Sequence, residues 1–387
     1  MTPRTRAFLI GLILAAAAHW MYPAAAYAPG AGQPSPAKAP KAAAQRDAQF
    51  APAIARAKEV AQEISARGIP GMAVAVAVNG EIVWAGGFGY ADLESRVPAS
   101  ASTRWRIGSI SKPLTAAALA VLIEEGKLNL DAPVQQYVPW FPVKGKPIST
   151  RMLAGHLAGI RHYKGQEFLN SAACSTVAEG LAIFQDDPLV HAPGTKFGYS
   201  SYGWNLISAV LEGASKEEFL KLIEQRVFQP LKMSSTTADR NGRIIENRAQ
   251  FYSRPQDASA AVTFTNGPYV DNSCKWAGGG FLSTVEDLAR FGSAHIRDGF
   301  LQPKTRELLF TTQHTAEGVP TGYGIGWQVG KDAAGRVTLS HGGGSVGGTS
   351  QLILWPDSRV VVAVLTNLTS APYRVTDVHK IAEPFLK

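Results

Sequence analysis

At 387 residues, 45% apolar and with 38 glycines and 24 prolines, the chain has room for one large loop-rich globular domain or two ordinary ones. Its net charge of +8 is no nucleic-acid signature: residues 1–50 carry half of it, as Arg4, Arg6, Lys38, Lys41 and Arg46 against Asp47, and no basic run follows. The eight histidines and two cysteines form no H-E-x-x-H, H-x-H-x-D or C-x-x-C spacing, so neither a metal nor another cofactor is expected.

Residues 1–28 read as an export signal or uncleaved membrane anchor, with Arg4 and Arg6 ahead of an apolar run and small residues at Ala24, Ala26 and Ala28. In a bacterium this places the protein in the periplasm or outside the cell. In a eukaryote the same leader would read as mitochondrial. Residues 29–47 form an Ala/Pro-rich linker without apolar periodicity. The folded part is expected over 48–387.

Phe50, Ile54, Ala57, Ala61 and Ile64 are spaced for a helix that Gly68-Ile69-Pro70 ends. Met72–Val78 and Glu81–Trp84 flank Asn79-Gly80, a hairpin signal. Next comes a helix with Leu114, Ala118, Val121 and Leu122 as its stripe and Gly126 as its stop. Pro113 cannot donate to the Ser109 carbonyl, so the first turn is expected to be distorted or 3₁₀. Further helices are expected over 149–156, 201–212, 217–227 and 284–295, the last opened by a capping box from Ser283 to Glu286. Strands return at 322–329, 336–341, 349–355 and 360–366, and Val375, Val378, Ile381 and Phe385 mark a closing helix. Strands at both ends of a helical middle predict an α+β fold. A sheet part (48–108 and 320–387) covered by terminal helices would face a helical part (109–319), with the active site between them. Cys174 and Cys274 lie a hundred residues apart, and their pairing is left open.

The chemistry concentrates in Gly108-Ser109-Ile110-Ser111-Lys112. Ser109 and Lys112 are three apart, on one helical face. A serine hydroxyl needs a neighbour to take its proton, and a lysine serves only when neutral, which costs about 4 kcal/mol. Tyr199-Ser200-Ser201 follows Pro193-Gly194 and precedes a helix, so Tyr199 can face a cleft, and a phenolate beside a lysine ammonium can act as general base. His341-Gly342-Gly343-Gly344 ends a strand whose glycines admit a ligand to the backbone. A strand N–H there and that of Ser109 would form an oxyanion hole.

The order S-x-x-K, Y-S-x, then a strand bearing [KH]-x-G resembles the penicillin-recognising serine hydrolases: class C β-lactamases, DD-carboxypeptidases and esterases of the same fold. The segments Gly159–Tyr163, Pro268–Ser273 and Lys275–Val285 resemble the serine β-lactamase-like branch of that family. The resemblance implies a five-stranded antiparallel sheet with a helical domain. It also implies Ser109 as acylated nucleophile, Lys112 and Tyr199 as acid/base pair, and the Gly344 amide as second oxyanion donor. Gly343, Ser201 and His341 would join them at the substrate. Two positions depart from the family pattern. Ser201 replaces an asparagine and has one donor fewer; His341 replaces a lysine and is charged only part of the time near neutral pH. Both favour peptidase- or esterase-like hydrolysis of a small peptide, amide or ester over antibiotic destruction. A non-catalytic scaffold, homo-oligomeric or filamentous, is the rival expectation. Gly343-Gly344-Ser345-Val346-Gly347 also spells G-x-S-x-G, but that elbow needs a helix after the serine, and more strand is expected here.

Overall fold

The computed structural model describes residues 41–255 and 264–386; the leader and most of the linker lie outside them. The chain divides into two units at Ala44/Gln45, and everything that follows concerns the second. The first helix, α1 (Lys41–Ser65), lies in the second unit from Gln45 onward and begins seven residues before the expected start, where Ala42, Ala43 and Ala44 favour helix. Among the described residues no helix is long and apolar enough to cross a membrane.

One sheet organises the fold. Its strands are β1 (Gly71–Val78), β2 (Glu81–Asp92), β3 (Val97–Pro98), β4 (Gln328–Lys331), β5 (Val337–Ser345), β6 (Gly348–Trp355) and β7 (Val360–Thr366). They run antiparallel in the spatial order β3-β2-β1-β7-β6-β5-β4. Five long strands match the expectation, and the short β3 and β4 extend its edges. Asn79 and Gly80 both take positive φ, 53° and 85°, the requirement of the tight hairpin read from their sequence. The β4 segment is shorter than expected because Gly322 and Gly326 adopt φ of 68° and 80°, which breaks the extended run.

Period-two alternation separates the two faces. Met72, Val74, Val76, Val362, Val364 and Ile353 point to one side, where α1 and α5 (Val375–Ala382) cover them with Ala57, Ala61, Ile64, Val378 and Ile381. Ala73, Ala75, Ala363 and Leu365 point to the other, against α4 (Val285–His295) and the helical part. Small alanines let α4 approach the sheet closely. The central helix α2 (Ser111–Glu124) is buried nearly all round over Ser111–Ala120 rather than along a single stripe, since it lies inside the helical part. Thr284, not Ser283, caps α4, accepting the Asp287 N–H at 3.2 Å, while the Ser283 hydroxyl pairs with Thr236. The helix expected over 217–227 is a short α-turn, Phe219–Ile223, continued by a π-turn, Glu224–Phe228.

Candidate active site

Ser109 sits in a 3₁₀ turn, Gly108–Ile110, at the entry to α2, as Pro113 requires. Two packing arrangements fix this turn. The strand pair Trp105–Arg106 with Leu282–Ser283 brings the run Trp276–Gly280 beside it. On the other side β5 presses against it: a Cβ on Gly343 would collide with the Ile107 carbonyl and the Ser350 hydroxyl, and one on Gly108 would lie 2.6 Å from the Gly344 oxygen. Ser350 Oγ itself donates to the Ile107 carbonyl at 2.8 Å. A Cβ on Gly344, by contrast, meets nothing within 4 Å. We expect Gly343→Ala to lose about 1–3 kcal/mol of stability by overpacking, measured by thermal melting. Gly344→Ala should melt as the parent does.

Lys112 is fully buried, and its Nζ lies 2.9 Å from Ser109 Oγ, 3.0 Å from Ser201 Oγ and 2.7 Å from the Gly278 carbonyl oxygen. Among the described residues no carboxylate pairs with it, and burial pushes the amine well below its usual value. The neutral amine has two N–H donors and one lone pair. Gly278 O can only accept, so one N–H points there. As an ammonium Nζ donates to all three oxygens; in the neutral form the other N–H serves Ser201 and the lone pair is left for the Ser109 hydroxyl, the arrangement that proton transfer requires.

Tyr199 ends the loop before α3 (Ser201–Ser215), whose N-cap is Ser200: Ser200 Oγ accepts the Gly203 N–H at 3.0 Å and donates to the Arg161 carbonyl at 2.7 Å. The Tyr199 ring centre is 4.9 Å from Lys112 Nζ. Burial around its hydroxyl pushes the phenol up to about 12, against the opposite pull of hydrogen bonds with the Ser109 and Ser201 hydroxyls. Burial thus works against both charged forms, and so against the phenolate–ammonium pair expected from the sequence.

His341 departs further from expectation. It is 2% exposed, with Nε2 2.8 Å from the Tyr323 hydroxyl and Nδ1 2.6 Å from the Gly342 carbonyl oxygen. One proton satisfies both contacts, Nδ1–H donating to Gly342 and Nε2 accepting from Tyr323. Burial, with Lys112 nearby, lowers the imidazole to about 3. His341 is neutral and packed behind Tyr199, with ring centres 6.4 Å apart, so it offers no charge to a substrate.

Ser109, Ser201, Gly344 and Ser345 line a cavity of about 250 Å³ with His162, Tyr163, Phe168, Lys275, Gly278 and Gly279. Larger clefts elsewhere, of about 820 and 760 Å³, do not include Ser109. Reading the motifs alone misses Lys275 and Tyr163, although both lie in the segments that carry the family resemblance. Ser345 reaches the same cavity, yet the chain passes directly from β5 to β6, strand to strand, with no helix behind it. His379, the last histidine in the chain, lies within α5 and meets Trp355 edge-on, with ring centres 5.5 Å apart. Cys174 and Cys274 form a disulfide with Cα atoms 4.9 Å apart, joining the loop before Val177–Leu181 to the turn carrying Lys275.

A buried lysine against a serine hydroxyl, at the junction of an antiparallel sheet and a helical part, defines a serine hydrolase. The chain belongs to the Beta-lactamase family, whose model matches residues 54–384. It is similar to the human serine beta-lactamase-like protein LACTB, mitochondrial, at 33% identity over an alignment covering 87% of this chain and 80% of the relative. Two solved structures share the fold. The octameric penicillin-binding protein homologue from Pyrococcus abyssi is 28% identical, with a TM-score of 0.72 over 84% of this chain and 75% of its own. A D-stereospecific amidohydrolase from Streptomyces sp. is 25% identical, with a TM-score of 0.71 over 85% and 98% respectively.

Proposed function

We propose that the chain hydrolyses a small peptide, amide or ester through an acyl-enzyme on Ser109. The observation that carries this is the 2.9 Å approach of a fully buried Lys112 amine to Ser109 Oγ, with no carboxylate among the described residues to keep that amine charged. Lys112 takes the hydroxyl proton as Oγ attacks the carbonyl carbon, and the oxyanion is met by the Ser109 and Gly344 N–H groups. The protonated Lys112 passes its proton to the leaving nitrogen or oxygen by way of the Tyr199 hydroxyl, and the C–N or C–O bond breaks. Water then repeats the sequence on the ester, which frees Ser109.

The buried, uncharged His341 and the engagement of Ser201 with Lys112 support a peptidase- or esterase-like activity over β-lactam destruction. The amidohydrolase likeness supports amides among the substrates. Export across a membrane is proposed on the leader and on the Cys174–Cys274 disulfide, a bond that persists in oxidising compartments. The octameric archaeal homologue makes self-association a further proposal. The decisive experiment is labelling with a neutral fluorophosphonate followed by peptide mapping. One adduct on the peptide carrying Ser109 is expected; no adduct, or one on Ser345, would overturn the assignment.

A further inference from the structure

The cavity beside Ser109 is lined by serines, glycines, three rings and one cationic side chain, Lys275, and by no carboxylate. Lys275 is 8% exposed. Its Nζ donates to the Phe168 carbonyl at 3.0 Å and lies 5.2 and 5.6 Å from the ring centres of Phe168 and Tyr163. An ammonium has three donors, and only this one contact uses them among the described residues. No ion pair with a carboxylate is formed there either. A desolvated cation with spare donors, facing a cavity otherwise free of charge, is a recognition element for an anion.

We propose that Lys275 binds a carboxylate on the substrate, making this hydrolase selective for an acyl group that carries a negative charge a few atoms from the scissile carbonyl. The inference rests on Ser109 being the acylated residue. The expected third-motif cation is absent, since His341 is neutral and turned to Tyr323. Lys275 supplies the site's positive charge from the opposite, helical wall, next to Tyr163 and Phe168. The charged groups that act on Lys275 are Arg106, which disfavours its ammonium, and Asp239 and Asp271, which favour it; with burial the largest influence, the amine is lowered to about 8.

The test compares mono-4-nitrophenyl glutarate with 4-nitrophenyl pentanoate, esters of equal chain length that differ by one carboxylate. The wild type should prefer the glutarate, and Lys275→Met should cut the glutarate-to-pentanoate ratio of kcat/KM by ~10–100-fold, the scale of a lost charge-assisted hydrogen bond. Lys275→Arg should recover most of the ratio. In the wild type the ratio should also fall as pH rises through about 8, where the ammonium is lost; using a ratio cancels the titration of Lys112. A ratio unmoved by Lys275→Met, or a parallel loss on both esters with earlier melting, would overturn the inference and leave Lys275 a prop for the Phe168 loop. A wild type that labels at Ser109 but shows no preference sinks this inference alone. A wild type that neither labels nor cleaves either ester sinks the hydrolase reading with it.

Discussion

Lys112→Met should lower kcat/KM on a neutral ester by on the order of 10³-fold, the middle of the range for a lost general base, and yet fold at least as stably as the parent at pH 7. The first half follows from geometry: the methionine sulfur cannot take the Ser109 proton, and the Tyr199 phenol that also bonds that hydroxyl is pushed up to about 12 and keeps its own proton. The second follows from linkage. Lys112 has a folded pKa well below its unfolded value near 10.5, so between the two the unfolded chain binds the extra proton. Wild-type stability therefore rises as pH climbs toward 10.5 and is diminished as pH falls toward the folded value. Holding the amine without its proton below the unfolded pKa costs stability, and methionine, of similar length, removes that cost. Against it stands the loss of a donor to the Gly278 carbonyl, about 1–3 kcal/mol. Melting curves of both proteins from pH 6 to 10 would read this: the variant's advantage should shrink as pH rises. Retained turnover, or a variant that melts lower at pH 7, contradicts the neutral-amine assignment. The same assignment gives the wild type an acid limb in its pH profile. No descending limb from Tyr199 is expected below about 12.

The parts of this site legible in the sequence are those set by neighbours along the chain. Asn79-Gly80 makes its own turn. Pro113 distorts the turn it lacks a donor for, and Ser109 and Lys112 meet because a helix places residues three apart together. Protonation states are different, because they depend on what distant segments exclude. His341 is neutral because Tyr323, from another part of the chain, accepts its company and shuts out water. The Tyr199 phenolate anticipated from the motif needs a charged Lys112, and the burial of α2 works against that charge. Lys275 escapes a motif reading for a topological reason. Nothing in Lys275-Trp276-Ala277-Gly278 points to a serine more than 160 residues earlier. The pairing of Trp105–Arg106 with Leu282–Ser283 brings them to one wall.

That pairing is anchored by a buried ion pair, and its loss should be the largest stability effect in the molecule outside the apolar core. Asp239→Ala is expected to cost about 3–5 kcal/mol, the usual penalty for orphaning a buried charge. In a chain of this size this lowers the melting temperature by roughly 4–7 °C. The Asp239 carboxylate is wholly buried and accepts from Arg106 Nε at 2.6 Å, Asn272 Nδ2 at 2.8 Å and Arg248 Nη1 at 3.3 Å. Arg106, 5% exposed, also donates to the Val346 carbonyl at 2.9 Å and lies 3.8 Å over the Phe251 ring, so it has no route to water when Asp239 is gone. Exposed pairs such as Arg56–Glu59 differ, because water solvates and screens both charges and little is lost when one is removed. Adding Arg106→Met to Asp239→Ala should recover much of the loss, because the penalty lies in the unpaired guanidinium rather than in the missing attraction. The clamp joins the strand just before Ser109 to Asn272, which leads into Lys275. Labelling of Ser109 by a fluorophosphonate should therefore slow in the single variant even well below its melting point. A calorimetric loss under 1 kcal/mol with unchanged labelling would mean that the two walls of the cleft are held by apolar packing alone.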